Sequence, residues 1–278
     1  MVSVTTLVEN TAGHLGVLGE HGLAYWLEVG PHKLLFDTGQ GMALLHNAEQ
    51  LGARLDQAQA VILSHGHYDH TGGLADVLDV IGPTKVYAHP AAFRPKYARI
   101  NEDTSRFIGT SGGEDVLGQA AELVPTEGPT EVVEGVFVTG EVPRVSGFED
   151  VGGPFFVDEA CRQPDPMQDD QSLFFTCAQG IVVLLGCAHA GVVNTLDYIH
   201  KITGGKPIHA VIGGMHLVMA SQERIRCTID ALRGFDVGML GPMHCTGMSA
   251  TVELWKALPE RCIACPAGTV LRFESPDA

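Results

Sequence analysis

Four side chains able to bind a metal ion fall within six positions of the segment Ser64-His65-Gly66-His67-Tyr68-Asp69-His70-Thr71-Gly72-Gly73-Leu74. The segment leaves the apolar run Ala60-Val61-Ile62-Leu63 and enters a helix-like stretch, so it reads as a loop at the end of a buried strand. In an extended loop His65 and His67, two positions apart, point the same way and can share one cation, while Asp69 and His70, past the bend, can face a second. Gly66 between them relieves the backbone crowding that this requires. Imidazole and carboxylate donors suit zinc, and manganese or iron fit the same donor types. Two such cations ~3.5 to 4 Å apart would clamp an oxygen-rich centre and bring the pKa of a bound water towards ~7. Asp69 would then be both ligand and acceptor for that water's proton.

The elements that must position this loop are legible from periodicity. Strands are expected at Val4 to Glu9, Ala24 to Val29, Lys33 to Asp37, Ala60 to Ser64 and Lys85 to His89. A second set is expected at Val132 to Thr139, Ser172 to Thr176, Ile181 to Gly186, His209 to Gly213, Val237 to Gly241 and Thr269 to Phe273. Helices fit Met42 to Leu51 before Gly52, Leu74 to Ile81 before Gly82-Pro83, Val192 to Thr203, and Ser221 to Arg233. Two strand-rich halves, each followed by helices, suggest an α/β fold with sheets face to face and helices outside, an αββα sandwich. No low-complexity linker or charge block divides the chain, so residues 1–278 are expected to form one domain. Residues 90–128 have weak periodicity and several Gly, and read as a loop-rich surface excursion.

Composition narrows the function. Thirty-three acidic against 17 basic residues give a formal charge of -16, which repels phosphate backbones and argues against a nucleic-acid partner. No stretch approaches ~18 uninterrupted apolar residues and the start Met1-Val2-Ser3-Val4-Thr5-Thr6 is not a signal peptide, so a soluble, cytoplasmic protein away from membranes is expected. Seven cysteines in such a chain read as reduced thiols. Cys262-Ile263-Ala264-Cys265 has CxxC spacing, but Pro266-Ala267-Gly268 follows where a redox motif would place a helix. The partner is expected to be a small-molecule substrate, with monomer and dimer both open.

The His65, His67, Asp69, His70 pattern resembles the H-x-H-x-D-H motif of the metallo-β-lactamase superfamily, whose fold is the αββα sandwich. The chain is more closely similar to the subfamily of the archaeal dihydropterin–aminobenzene-ribofuranosyl-phosphate synthase and its bacterial relatives. The segments that carry this are Phe36-Asp37-Thr38-Gly39-Gln40, the histidine loop, Asp169-Asp170-Gln171-Ser172-Leu173, Gly186-Cys187-Ala188-His189-Ala190-Gly191, Ile212-Gly213-Gly214-Met215-His216-Leu217 and His244-Cys245-Thr246-Gly247. The resemblance implies that Asp37 holds the ligand loop, a role suited to a carboxylate that orients an imidazole. It also implies that further ligands come from strand ends, here His189 and His244. Many superfamily members carry a bridging Asp where this chain has Cys187, which leaves Cys187, Asp170 or water as the bridge.

His216 ends a strand and is assigned to the pocket, as proton donor or substrate contact; His89 before Pro90 is a weaker candidate of the same kind. His14, His21, His32, His46, His200 and His209 carry no cluster and read as surface or packing residues. The residues thus point to a hydrolase that turns a metal-activated water on a small phosphorylated or ester substrate. The resemblance adds an alternative, a transferase joining a dihydropterin diphosphate to an aminobenzene ribofuranosyl phosphate. In that case Arg94, Lys96, Arg99 and Arg144 are the cations available for a second phosphate. A non-catalytic metal-binding module is the third reading, disfavoured by the intact motif and the lack of an appended domain to receive a signal.

Overall fold

Alternating burial along the strands divides the molecule into layers, seen in a computed structural model that describes residues 1–119 and 121–276. In the strand Ala24–Val29, Tyr25 and Leu27 face one way and Ala24 and Trp26 the other, as the twofold side-chain period of a strand requires. The first set packs with Leu34, Phe36 and Ile62 against Val138, Leu173, Phe175, Val182, Leu184 and Ile212, so the central core lies between two sheets. The second set packs with Leu35, Val61 and Val86 against helices Leu44–Leu51 and Leu74–Ile81. On the far side Ile181, Val183, Leu185 and Val211 pack against helices Val192–Ile202, Gln222–Gly234 and Met248–Ala257. These four layers are the expected αββα sandwich.

The first sheet has seven strands in the order Val270–Phe273, Val2–Val8, Ala24–Val29, His32–Phe36, Ala60–Ile62, Thr84–Ala88 and Ala121–Pro125. The second has six, Met239–Met243, Ile208–Gly214, Gly180–Leu185, Leu173–Cys177, Val136–Val138 and Thr130–Val133. Four strands of the first sheet, from His32–Phe36 to Ala121–Pro125, run parallel, as do three of the second, from Gly180–Leu185 to Met239–Met243. Ligands of open α/β sheets gather at the carboxyl ends of parallel strands. Asp37, the histidine loop, Cys187, His216 and His244 each follow the end of one of these strands.

Three expectations differ from the structure. Val132 to Thr139 is a hairpin rather than one strand, because Gly135 takes a left-handed φ of 78° between Thr130–Val133 and Val136–Val138. The excursion at 90–128 is not all surface loop: Ala121–Pro125 is the edge strand of the first sheet, and Tyr97–Arg99 pairs with Ser105–Phe107 and Phe155–Phe156 in a small third sheet. An edge strand pairs on one side only, so its residues alternate weakly in burial and its periodicity is faint. Helix Met248–Ala257 was not expected, since only Ala250 and Leu254 on it are buried. Among the described residues no helix is long and apolar enough to cross a membrane, and all seven cysteines are free thiols.

Candidate metal centre

The histidine loop is held from both sides. A side chain at Gly66 would stand 1.9 Å from the carbonyl oxygen of Ala92, so only glycine lets the loop pass there. The Gly66 N–H donates to Asp169 Oδ2 at 2.8 Å. Beyond it, Tyr68–Thr71 forms a single helical turn in which the N–H groups of His70 and Thr71 donate to the His67 carbonyl at 2.9 and 3.0 Å. That bend separates Asp69 and His70 from His65 and His67.

Asp37 lies beneath the loop and is hydrogen-bonded to it. It sits in the left-handed region, φ 62°, which turns its carboxylate under the loop. The carboxylate accepts the Ser64 N–H at 2.6 Å, the Ser64 hydroxyl at 2.7 Å and the His70 Nδ1–H at 2.7 Å. With Nδ1 held by Asp37, Nε2 is the atom that faces the centre, 3.1 Å from Cys187 Sγ, where a cation would take the place of its proton. Burial pushes the His70 imidazolium pKa down, but the adjacent Asp37 carboxylate pulls it up to about 9.

The other imidazoles converge on the same place. The His65, His67 and His189 donor atoms lie within 4.8 Å of one another, as do those of His65, His70 and Cys187 and those of His21, Asp69 and His244. His189 Nδ1 donates to the Val151 carbonyl at 2.8 Å, and His244 Nδ1 meets Asn10 Oδ1 at 2.8 Å. Each of these two rings is thus fixed through Nδ1; the Nε2 atoms of His67 and His189 are buried with no hydrogen-bond partner, and that of His244 lies 3.3 Å from Asp69 Oδ2. Burial holds His65 and His189 well below the usual histidine range and His67 at about 3, so these rings are neutral donors. Burial alone would raise the Asp69 carboxyl, but contacts from His21 and His244 hold it well below its ordinary range, so it is anionic. Orphaned imidazole nitrogens around an anionic carboxylate are costly when empty and fit divalent cations.

The bridge candidates separate. Cys187 Sγ belongs to three of the clusters, with His65 and His70, with His189 and His216, and with His244 and Cys245. Asp170 belongs to none among the described residues: Oδ2 accepts the Ala190 N–H at 2.9 Å, which fixes the turn that carries His189, and burial raises its carboxyl to about 6. The His216 ring, at a backbone φ of 43°, has its centroid 4.1 Å from that of the His189 ring in a tilted arrangement, and His216 lines the cavity over the centre. His89 stands apart, its Nδ1 accepting the Ala91 N–H in a local turn.

Three of the four candidate phosphate cations are engaged elsewhere, and the fourth, Arg94, lies away from the cavity over the centre. Lys96 is buried between Asp165 Oδ2 at 2.9 Å and Asp169 Oδ1 at 2.8 Å. Arg99 donates to the Cys161 carbonyl and lies over the Phe156 ring, and Arg144 donates to the carbonyls of His189 and Met167 at 2.8 and 3.1 Å. Arg94 borders a separate small recess beside Lys96. The cavity over the centre, about 670 Å³, takes in Asp69, His216, His244, Met248 and Trp255, and none of its lining residues is Lys or Arg. Sequence reasoning missed two neighbours of the centre, His21 and Cys245. The first is remote in sequence from the motif, and the second adjoins His244 as an ordinary-looking thiol.

Residues 18–154 match the family model of the metallo-beta-lactamase superfamily. The chain is 30% identical, over 98% of its length and 97% of the relative's, to 7,8-dihydropterin-6-methyl-4-(beta-D-ribofuranosyl)-aminobenzene-5'-phosphate synthase of Methanocaldococcus jannaschii. The chain belongs to the metallo-β-lactamase superfamily. An uncharacterized protein of the same archaeon is 33% identical over 90% of this chain and 93% of its own. A crystal structure of a metal-dependent hydrolase of the beta-lactamase superfamily superposes with a TM-score of 0.83 at 30% identity, covering 99% of this chain and 100% of that one. The fold expected from the resemblance is therefore this chain's fold.

Proposed function

We propose that this superfamily member is a dinuclear metal-dependent hydrolase of a small phosphorylated or ester substrate. The observation that carries the reading is the pair of buried, unpartnered Nε2 atoms on His67 and His189, which converge with His65, beside the anionic Asp69 that meets His244 Nε2 at 3.3 Å on the wall of a cavity. His65, His67 and His189 would hold one cation, and Asp69, His70 and His244 a second, with Cys187 placed to reach both. Zinc suits these donors best, and manganese or iron also fit them. When bound, such cations polarise an oxygen-rich centre and bring a water towards ionisation at neutral pH.

The remaining steps fall to side chains. Asp69 accepts the proton of the attacking water at a carboxylate oxygen, and His216, on the cavity wall, returns a proton to the leaving group. The wall is largely apolar and carries no Lys or Arg, which favours a substrate whose charge, if any, sits on the cations and whose body is uncharged. A second reading, a transferase that joins a dihydropterin diphosphate to an aminobenzene ribofuranosyl phosphate, is favoured by the identity to the M. jannaschii synthase along nearly the whole chain.

Mass spectrometry of products separates the two. Metal-loaded protein is incubated with a panel of small phosphate esters, carboxylic esters and lactones, and with hydroxymethyl-dihydropterin diphosphate with and without the aminobenzene ribofuranosyl phosphate. Hydrolysis on the panel, lost in His67→Ala together with bound metal, supports the hydrolase. A coupled product with the amine present overturns it in favour of the transferase. Retained metal with no turnover on any substrate overturns both and leaves a binding module.

A further inference from the structure

The loop between the first two strands brings an imidazole to the centre that the H-x-H-x-D-H motif does not include. His21 Nε2 lies 3.3 Å from Asp69 Oδ2, the same oxygen that lies 3.3 Å from His244 Nε2. The His21 and His244 rings are 4.8 Å apart, and His21 lines the same cavity as Asp69 and His244. Its position is built rather than incidental. The Leu23 N–H donates to the Asp69 carbonyl at 3.2 Å, which ties the loop to the motif one residue from its bend. Gly22 makes this approach possible, since a side chain there would stand 2.6 Å from that same carbonyl oxygen. On the other side the Glu20 carboxylate accepts the N–H groups of Gln40, Met42 and Ala43 at 2.7, 2.9 and 2.9 Å, and the Gln40 side-chain amide donates to the His21 carbonyl. The backbone around His21 is thereby pinned to the segment that follows Asp37.

We propose that His21 is a ligand of the second cation, joining Asp69, His70 and His244 in a site that the motif alone leaves open towards the cavity. The proposal rests on the dinuclear reading above. The donor set is chemically consistent: the donor atoms of His21, Asp69 and His244 lie within 4.8 Å of one another, and carboxylate with imidazole donors is a composition that suits zinc and related cations. The side chain of His21 is 56% exposed, so its ligating atom is supplied from the cavity rim rather than from the core, unlike the 0% exposed His244. A rim ligand can be removed without opening a hole in the packing.

Cobalt(II) titration followed by visible absorption and equilibrium dialysis tests this without reference to turnover. The protein as isolated, stripped with chelator, is compared with His21→Ala and His21→Gln. The expected result is two cobalt ions in the starting protein. In both variants the first ion remains tight and the second weakens more than a hundredfold, beyond the roughly 10- to 100-fold that loss of an outer partner of a ligand costs. Added imidazole should restore the second ion and its absorption band in His21→Ala. Two outcomes overturn the proposal: unchanged titration and spectrum in His21→Ala, or full retention in His21→Gln, whose amide still donates to Asp69 but replaces the imidazole. Failure of the dinuclear reading itself shows differently, as fewer than two ions in the unaltered protein.

Discussion

Asp169 accepts the backbone N–H of Gly66 at 2.8 Å, at the residue that separates the two histidines of the H-x-H pair. Its other oxygen is held by the buried Lys96 ammonium at 2.8 Å, and Lys96 is shared with Asp165 at 2.9 Å. A chain of three charged side chains thus runs from Asp165, whose N–H donates to the Phe155 carbonyl of the small third sheet, to the histidine loop, and it orients the loop through its backbone rather than through an imidazole.

Replacing Lys96 by Met should therefore damage both fold and centre. The substitution leaves two buried carboxylates without their cation, and breaking a buried pair in this way costs about 3 to 5 kcal/mol. Urea denaturation of the metal-free protein should show that loss. Double substitution with Asp169→Asn should recover part of it while leaving metal binding weakened, because the neutral amide no longer holds Gly66 as a carboxylate does.

The same chain of charges sets a pH window. For Asp169, burial pushes the carboxyl up, but the Lys96 ammonium and the Gly66 N–H outweigh it and the folded pKa lies below the ordinary 3.8. A depressed carboxyl stabilises the fold above its unfolded pKa and loses that contribution as pH falls through the folded one. For Lys96, burial works downward, but Asp169 and Asp165 raise the folded pKa above 10.5, so its contribution is complete below that value and fades as pH rises through the folded pKa. The stability difference between the unaltered protein and Lys96→Met should be largest near neutral pH, where the variant's uncompensated buried carboxylates must ionise, and shrink as pH falls to below about pH 4. Thermal unfolding across that range checks it, and a difference that grows below pH 4 would contradict the assignment.

The histidine loop was legible because its donor types are dense in sequence and follow an apolar run that can only be a buried strand. The sheets were legible for a related reason: Tyr25, Leu27, Leu34 and Phe36 repeat at the twofold period that burial between layers imposes. Lys96 was not legible. A lysine beside two arginines reads as a solvated or phosphate-binding charge, and only the fold brings Asp165 and Asp169 from some seventy residues away to bury it. His21 was hidden in the same way, since its partner Asp69 is reached through a strand pairing and a loop contact that leave no local pattern.

Asp37→Asn isolates the orienting role of that carboxylate. Asparagine tolerates the left-handed φ of 62° that most residues would not, so the backbone should survive. The amide cannot accept from Ser64 and from His70 Nδ1 in the same way, and His70 loses the bond that fixes which of its nitrogens faces the centre. Loss of such a partner costs about 10- to 100-fold in metal affinity. Competition with a chromophoric chelator should show this drop with an unchanged circular dichroism spectrum, and unaltered affinity would mean that the Asp37–His70 pair is only structural.

Trp255→Ala tests whether the apolar wall selects the substrate. Helix Met248–Ala257 is anchored by the buried Ala250 and Leu254, while Trp255 is 39% exposed and lines the cavity, so its loss should leave the fold intact. An aromatic face that packs on the body of a substrate contributes binding in ground and transition states alike, which raises KM on removal and leaves kcat unchanged. For esters with an aromatic or long acyl body, KM should rise about tenfold, equivalent to ~1.4 kcal/mol of lost contact. For acetate or methyl esters it should not change, because these occupy only the space next to Asp69 and His216. Equal effects on both groups, or a fall in kcat with KM constant, would place Trp255 outside the binding wall.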